Sequence, residues 1–270
     1  VVQAATYHRN NLSIGDSEAI ARTEDPAVIS PEMREQCRAS YLQLSRIGDS
    51  ERPIYGLTSG FGPQPGQAAS EPDQHQLGLL RNLACAVGKP FSLLQTRAAM
   101  ATRLHTLGLG HSGVSEATLN SLALFLNQGL TPIVPAVGAN DDQTPMAHVA
   151  LALCGEGDVS FRGQKRSAAS VLAEMGATPL QLTQRDGLAL VNGCAFSTGI
   201  AALNGASARR LLRWILVVAS TYSQLLEAFD EAYSSLHAAL RPHAGQILVR
   251  ERLASLLQGN TRLRTYAAST

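Results

Sequence analysis

The chain has 270 residues and a mass of 28.6 kDa, enough to bury a large core as one sizeable domain or two small ones. Charged residues make up 16% of it and the formal net charge is +1. Its basic residues are scattered in runs no longer than two, so no strong field draws it to nucleic acid or to acidic membranes.

Ser30-Pro31-Glu32 predicts a helix start, with Ser as cap, Pro tolerated in the first turn and Glu complementing the dipole; that helix runs to about Ile47. Residues 52–66 are rich in Gly and Pro and predict a loop. Helical periodicity resumes over about 74–87, 93–108 and 116–128. Thr144-Pro145 opens another helix that ends at Gly155. A short hairpin is expected over 155–163, where Val159 and Phe161 alternate with polar residues, and a brief helix over 168–175. A long helical stretch follows from about Leu188 to Tyr233, with Asn192-Gly193 as its candidate break. Leu211, Leu212, Ile215, Leu216, Ala219, Tyr222 and Leu226 keep three-and-four spacing along it, so its apolar side needs partners. A last helix is expected over 245–257. The fold class is mainly α: a mixed loop/helix region leading into a bundle of long helices.

Cys37, Cys85, Cys154 and Cys194 are far apart and form no Cys-x-x-Cys, so neither a zinc site nor a redox pair is expected. Four lone cysteines suit a reducing cytoplasm, and each reads as a small buried apolar residue. No basic region followed by an apolar stretch opens the chain, so no signal peptide is expected. The uncharged stretches 117–140 and 187–208 are broken by Asn, Gln, Gly, Pro and Ser, and read as buried helices rather than bilayer spans. Gly155-Glu156-Gly157-Asp158 lacks the Gly-Lys-Ser/Thr of a phosphate loop. No metal or cofactor is expected.

Six segments in order carry a resemblance to a known family. Tyr55-Gly56-Leu57-Thr58-Ser59-Gly60-Phe61-Gly62, Asn82–Pro90, Arg103-Leu104-His105 through Gly110-His111-Ser112-Gly113, and Pro132–His148 come first. Gly187-Leu188-Ala189-Leu190-Val191-Asn192-Gly193 and His237 with Arg241-Pro242-His243-Ala244-Gly245-Gln246 complete the set. Together they resemble the aromatic amino acid ammonia-lyases and 2,3-aminomutases, over nearly the whole chain but only the first half of a typical member. The resemblance implies a truncated ammonia-lyase-like fold in a single domain over 1–270. About 1–188 would be the loop-rich part with active-site loops, and about 189–270 the long core helices.

In that family an Ala-Ser-Gly tripeptide cyclises into an electrophilic methylidene-imidazolone. The glycine nitrogen attacks the alanine carbonyl, and the serine oxygen is the leaving group. Here the matching stretch reads Ala139-Asn140-Asp141. Asn140 has no hydroxyl to eliminate, and Asp141 adds a Cβ where close backbone approach wants glycine. Thr58-Ser59-Gly60 and His111-Ser112-Gly113 match other parts of the family pattern. The group is therefore not expected.

What is left is acid–base chemistry in an inherited pocket. Tyr55 matches the family's catalytic Tyr; it would act as a base if its pKa falls from about 10, or as a neutral donor, or it simply packs. Asp141 is a candidate general acid beside Asp142, although either Asp can instead cap the helix that starts at Thr144-Pro145. Asp142 and His148 match residues that order the loop, and Asn192 matches an Asn that hydrogen-bonds near the prosthetic group. Gly62, Asn82 and Leu83 fall on the substrate side; Leu83 favours an apolar or aromatic group, or is an ordinary core leucine. His237 and His243 read as structural.

Two readings follow. One is an enzyme that uses Tyr55 with Asp141 or Asn192 on a small organic substrate, by elimination, addition, isomerisation or ring closure. The other is a non-catalytic or complementary subunit that pairs with a chain supplying the missing half. Both expect a homo-oligomer or a hetero-oligomer, since an apolar side of the 198–233 helix would otherwise face water.

Overall fold

The computed structural model describes residues 6–7, 12–23, 25–48, 54–61, 72–138 and 141–265. The elements, in order, are β1 (Thr6–Tyr7), α1 (Ile14–Ala21), β2 (Val28–Ile29), α2 (Pro31–Gly48), α3 (Pro72–Leu83) and β3 (Val87–Pro90). There follow α4 (Leu93–Gly108), α5 (Glu116–Asn127), β4 (Thr131–Pro132), β5 (Pro135–Val137), α6 (Gln143–Leu153), β6 (Asp158–Phe161) and β7 (Gln164–Ser167). The chain continues through α7 (Ala168–Glu174), α8 (Asp186–Val191), α9 (Ala195–Leu225), a 3-10 turn (Asp230–Tyr233), α10 (Ser235–Leu240) and α11 (Ala244–Leu256). The mainly helical class is as the periodicity predicts. Contacts divide the chain into two compact units, 1–204 and 205–270.

The core of the first unit is built by α4, α5 and α6. Ala98, Ala99, Met100, Leu104 and Leu107 of α4, with Leu119, Leu122 and Phe125 of α5, are sealed from water. So are Met146, Ala147, Val149, Ala150 and Leu153 of α6. Ser92 starts α4 with a reciprocal cap: its hydroxyl accepts from Gln95 N, and the Gln95 side chain accepts from Ser92 N. Small residues let helices touch. A Cβ on Gly199 of α9 would lie 2.6 Å from Ala99 N, so α9 crosses the small-residue face of α4 at backbone contact there. The strands are short: β1 pairs parallel with β2, β3 antiparallel with β5, and β6 antiparallel with both β4 and β7.

Two boundaries differ from the periodic pattern, and the candidate break at Asn192-Gly193 is found where it was expected. The helix expected to reach residue 87 ends at Leu83, because Val87–Pro90 pairs with Pro135–Val137 and Gly88 takes φ +83°. The long stretch from Leu188 breaks where Asn192 turns extended (ψ 112°) and Gly193 takes φ +138°. It then stops at Leu225, just before Glu227 turns left-handed at φ 51°. Taken across the break, Asp186–Leu225 is long and apolar enough to cross a membrane by length and composition alone. Just over half of its most apolar window lies buried in the protein, which is what a core helix also shows.

The second unit is built differently. Trp214, Ile215, Val218, Tyr222 and Leu225 of α9, Leu236 and Leu240 of α10 and Leu248 of α11 are all exposed. No residue of α11 is buried.

Candidate functional site

Two groups of residues stand at the positions that matter. In the first, α6 and the α8–α9 break meet. The Asp141 carboxylate accepts from Gln143 N at 3.0 Å and from Thr144 N at 3.3 Å, so Asp141 caps α6. Asp142 caps a different helix: its Oδ2 accepts from Ser197 N and from Ser197 Oγ, both at 2.9 Å, at the start of α9. The two adjacent acids are thus divided between two helix ends, and only Asp141 serves the helix that the sequence pattern pointed to.

Arg103 of α4 lies beneath this arrangement. It is 3% exposed, and its Nη1 donates to the Asn192 carbonyl at 3.0 Å. Burial pushes its guanidinium down to about 10, against the opposing pull of the Asp142 carboxylate and the Cys194 thiol. Gly193 is required here: a Cβ would come within 3.1–3.2 Å of the two Arg103 terminal nitrogens. Arg103 therefore holds the turn by its backbone and leaves the Asn192 side chain at the surface. The sequence offered a signal for Arg103, which opens the Arg103-Leu104-His105 segment of the resemblance, without showing what it holds.

The second group surrounds Tyr55, in the turn 54–59 where Leu57, Thr58 and Ser59 all donate backbone N–H to the Ile54 carbonyl. Tyr55 is 46% exposed and stands edge-on to Phe61, with ring centroids 6.2 Å apart. Phe61 in turn stacks on His75 at 4.4 Å. Burial holds the Arg185 guanidinium below its ordinary value, and the nearby Tyr55 phenol works against that. Gln76, buried in α3, clamps the turn to α8: its Nε2 donates to the Gly56 carbonyl and its Oε1 accepts from Leu188 N, both at 2.9 Å. A Gln in an amphipathic helix carries no sequence mark of such a role.

Of the remaining candidates, Asn82 is exposed at the end of α3, while Leu83 is half-buried and packs on the main core. Gly62 lies outside the described residues, as do Ala139 and Asn140 of the loop apex and the His237 side chain. His243 is the exposed residue preceding α11. The cysteines are not uniformly buried: Cys37 is, but Cys85 and Cys194 are exposed, Cys194 because it sits in the turn over Arg103.

His148 of α6 is half-buried, and its Nε2 has no hydrogen-bond partner among the described residues. Burial holds the His148 and His105 imidazoles below their ordinary value. The unfolded chain therefore binds protons that these histidines refuse in the fold. Their contribution to stability is complete above the unfolded value of about 6.5 and is lost as pH falls through it. Lowering the pH from about 7.5 to about 5.5 is expected to reduce the thermal midpoint, and His148→Gln to flatten part of that slope in scanning calorimetry.

A family model described as "Aromatic amino acid lyase" matches residues 12–269. Histidine ammonia-lyase from Symbiobacterium thermophilum is 36% identical over 255 residues, covering 93% of this chain and 50% of that protein. Tyrosine 2,3-aminomutase from Chondromyces crocatus is 34% identical over 258 residues, covering 93% and 48%. The crystal structure of tyrosine aminomutase from Streptomyces globisporus superposes with a TM-score of 0.93 at 30% identity, over 98% of this chain and 51% of that one. The chain spans about half the length of the curated relatives it matches. Segment order, helical architecture and match across almost every residue agree: this chain belongs to the aromatic amino acid lyase family.

Proposed function

We propose that the chain is an ammonia-lyase-like protein that works without the methylidene-imidazolone group. The observation that carries this is the state of Asp141. Where the family has its cyclising glycine, this residue carries a carboxylate tied to two amides at the start of α6. Asn140 beside it has no hydroxyl to lose. These residues do not fit the group.

The chemistry that remains is proton transfer on a small organic metabolite with an apolar or aromatic part. Its own carbonyl must acidify the carbon that reacts, since nothing in the chain replaces the missing electrophile. Elimination, addition, isomerisation and ring closure all fall within that description. Tyr55 is the proton carrier in this reading, and Asp141 or Asn192 the second polar group. Gly62, Asn82, Leu83, Asp142 and His148 shape the substrate side. Residues 1–270 act as one domain, in the cytoplasm.

Intact mass of the purified chain tests the central point. The expected mass is that of the unmodified sequence; loss of two waters from the peptide containing Asn140 and Asp141 would overturn the reading.

A second reading has its own support. The chain spans about half of its relatives' length, and α9 carries a long exposed apolar face. Here the chain acts as a subunit that a second polypeptide completes, or assembles with copies of itself. Solution mass separates the two: a homo-oligomer that turns over substrate unaided favours the first, and aggregation relieved only by a second polypeptide favours the other.

A further inference from the structure

We propose that Cys194 is an oxidative modification site: hydroperoxides convert its thiol to a sulfenate, which Arg103 holds through the unused edge of its guanidinium. This stands apart from the reading of the Tyr55 site and needs no substrate.

Arg103 is 3% exposed, and its Nη1 is engaged on the Asn192 carbonyl at 3.0 Å. Its Nε and Nη2, the two donors of one edge of the guanidinium, have no hydrogen-bond partner among the described residues. Charged donors stranded out of water are costly, and an anionic acceptor on that edge recovers the loss. The Asp142 carboxylate lies within electrostatic reach, but its Oδ2 is committed to Ser197 N and Ser197 Oγ at the start of α9. With burial holding it at about 10, the guanidinium stays charged at neutral pH.

Cys194 is exposed, in the turn that lies against this guanidinium. An atom at the Cβ position of Gly193, the residue before it, would be 3.1 Å from Nη1 and 3.2 Å from Nη2. Cys194 also immediately precedes α9, and its carbonyl accepts from Thr198 N at 3.0 Å. The positive end of that 31-residue helix favours negative charge at residue 194. An exposed thiol between a fixed cation and a helix start is a setting in which cysteines meet oxidants. Cys37 and Cys154 are protected instead: burial pushes their thiols up to about 11 and about 12. Cys85 is exposed as well, just before β3, and provides the comparison within the same chain.

With hydrogen peroxide the sulfur attacks one peroxide oxygen. An S–O bond forms as the O–O bond breaks, and the departing oxygen leaves as water with the thiol proton. Sulfur loses two electrons and the peroxide gains them. The sulfenic acid releases its proton to solvent, and its oxygen accepts from the open edge of Arg103, fixing the 192–194 turn of the candidate site. The test treats the full chain with hydrogen peroxide and dimedone, which traps sulfenic acid, and reads the labelled peptides by mass spectrometry. Cys194 is expected to carry at least about tenfold more label than Cys85. Without dimedone, peroxide is expected to raise the thermal midpoint by about 2–4 °C, reversibly with dithiothreitol, and to give no rise in Cys194→Ser. Arg103→Lys keeps a charge but not the edge, so the rise should vanish.

If Arg103→Lys does not fold, Cys194→Asp reads the same edge: a permanent carboxylate there is expected to raise the midpoint of the untreated chain, and a fall overturns the proposal. Label no greater at Cys194 than at Cys85 overturns it too. So does a midpoint that stays level or drops on oxidation, or a rise that Arg103→Lys retains. A disulfide joining Cys194 to Cys85 overturns it in favour of a thiol pair. None of these outcomes touches Tyr55 or the loop at Asp141, so the catalytic reading stands or falls separately.

Discussion

Tyr55→Phe is expected to lower turnover by about 10²–10⁴-fold once a substrate is in hand, the range lost when a positioned proton carrier is removed. The substitution is clean because the ring keeps its place. Its edge-on contact with Phe61 uses carbon atoms, and Gln76 and the Ile54 carbonyl hold the turn. Circular dichroism and thermal midpoint should therefore stay close to those of the unaltered chain. The pH profile discriminates further, because a phenol that carries the proton sets one limb of the rate profile and its removal should erase that limb. Turnover unchanged in the variant removes Tyr55 from the mechanism. A loss confined to KM with kcat intact would make it a binding residue instead.

How much of this was legible in the residues depends on whether the signal is local. Leu93–Gly108 and Glu116–Asn127 match the periodic pattern closely because each begins at a serine cap, α5 burying one face and α4 burying all sides over Thr96–Ala101. The β3–β5 pair was missed, since four residues containing Gly88 and Pro90 look like a helix tail until Val137 is known to lie opposite. The break at Asn192-Gly193 was visible as a costly dipeptide, but its cause is a guanidinium some ninety positions earlier in the chain, which no window can see. Asp141 and Asp142 show the same limit. Adjacent acids before a helix predict one cap, and only the structure shows that the second acid serves α9. The candidate site divides likewise: Tyr55, Asn192 and Arg103 stand in motif segments, although what Arg103 holds does not, whereas Gln76 takes its role from contacts alone.

Asp186→Ala is expected to cost about 3–5 kcal/mol of stability, measured by urea denaturation. Asp186 is fully buried, and three donors converge on its carboxylate. Ser115 N reaches Oδ1 at 2.8 Å, and Thr183 N and Oγ1 reach Oδ2 at 3.0 Å each. Alanine leaves a buried Ser115 N–H and a half-buried Thr183 N–H with no acceptor and opens a cavity, and each buried stranded donor alone is worth about 1–3 kcal/mol. The sum is less than additive because the donors share one network. Asp186→Asn retains one good acceptor but turns an NH₂ toward a donor, so an intermediate loss is expected. The network also reaches the candidate site. Tyr41 of α2 pairs its hydroxyl with Thr183 Oγ1, and Asp186 opens α8, where Leu188 N holds Gln76 and through it the turn that carries Tyr55. The asparagine variant should therefore loosen the Tyr55 turn as well as the fold, seen as faster amide exchange at Leu57–Ser59. A loss below about 1 kcal/mol in the alanine variant would mean that water reaches Ser115 and Thr183, and that α8 is not held from this end.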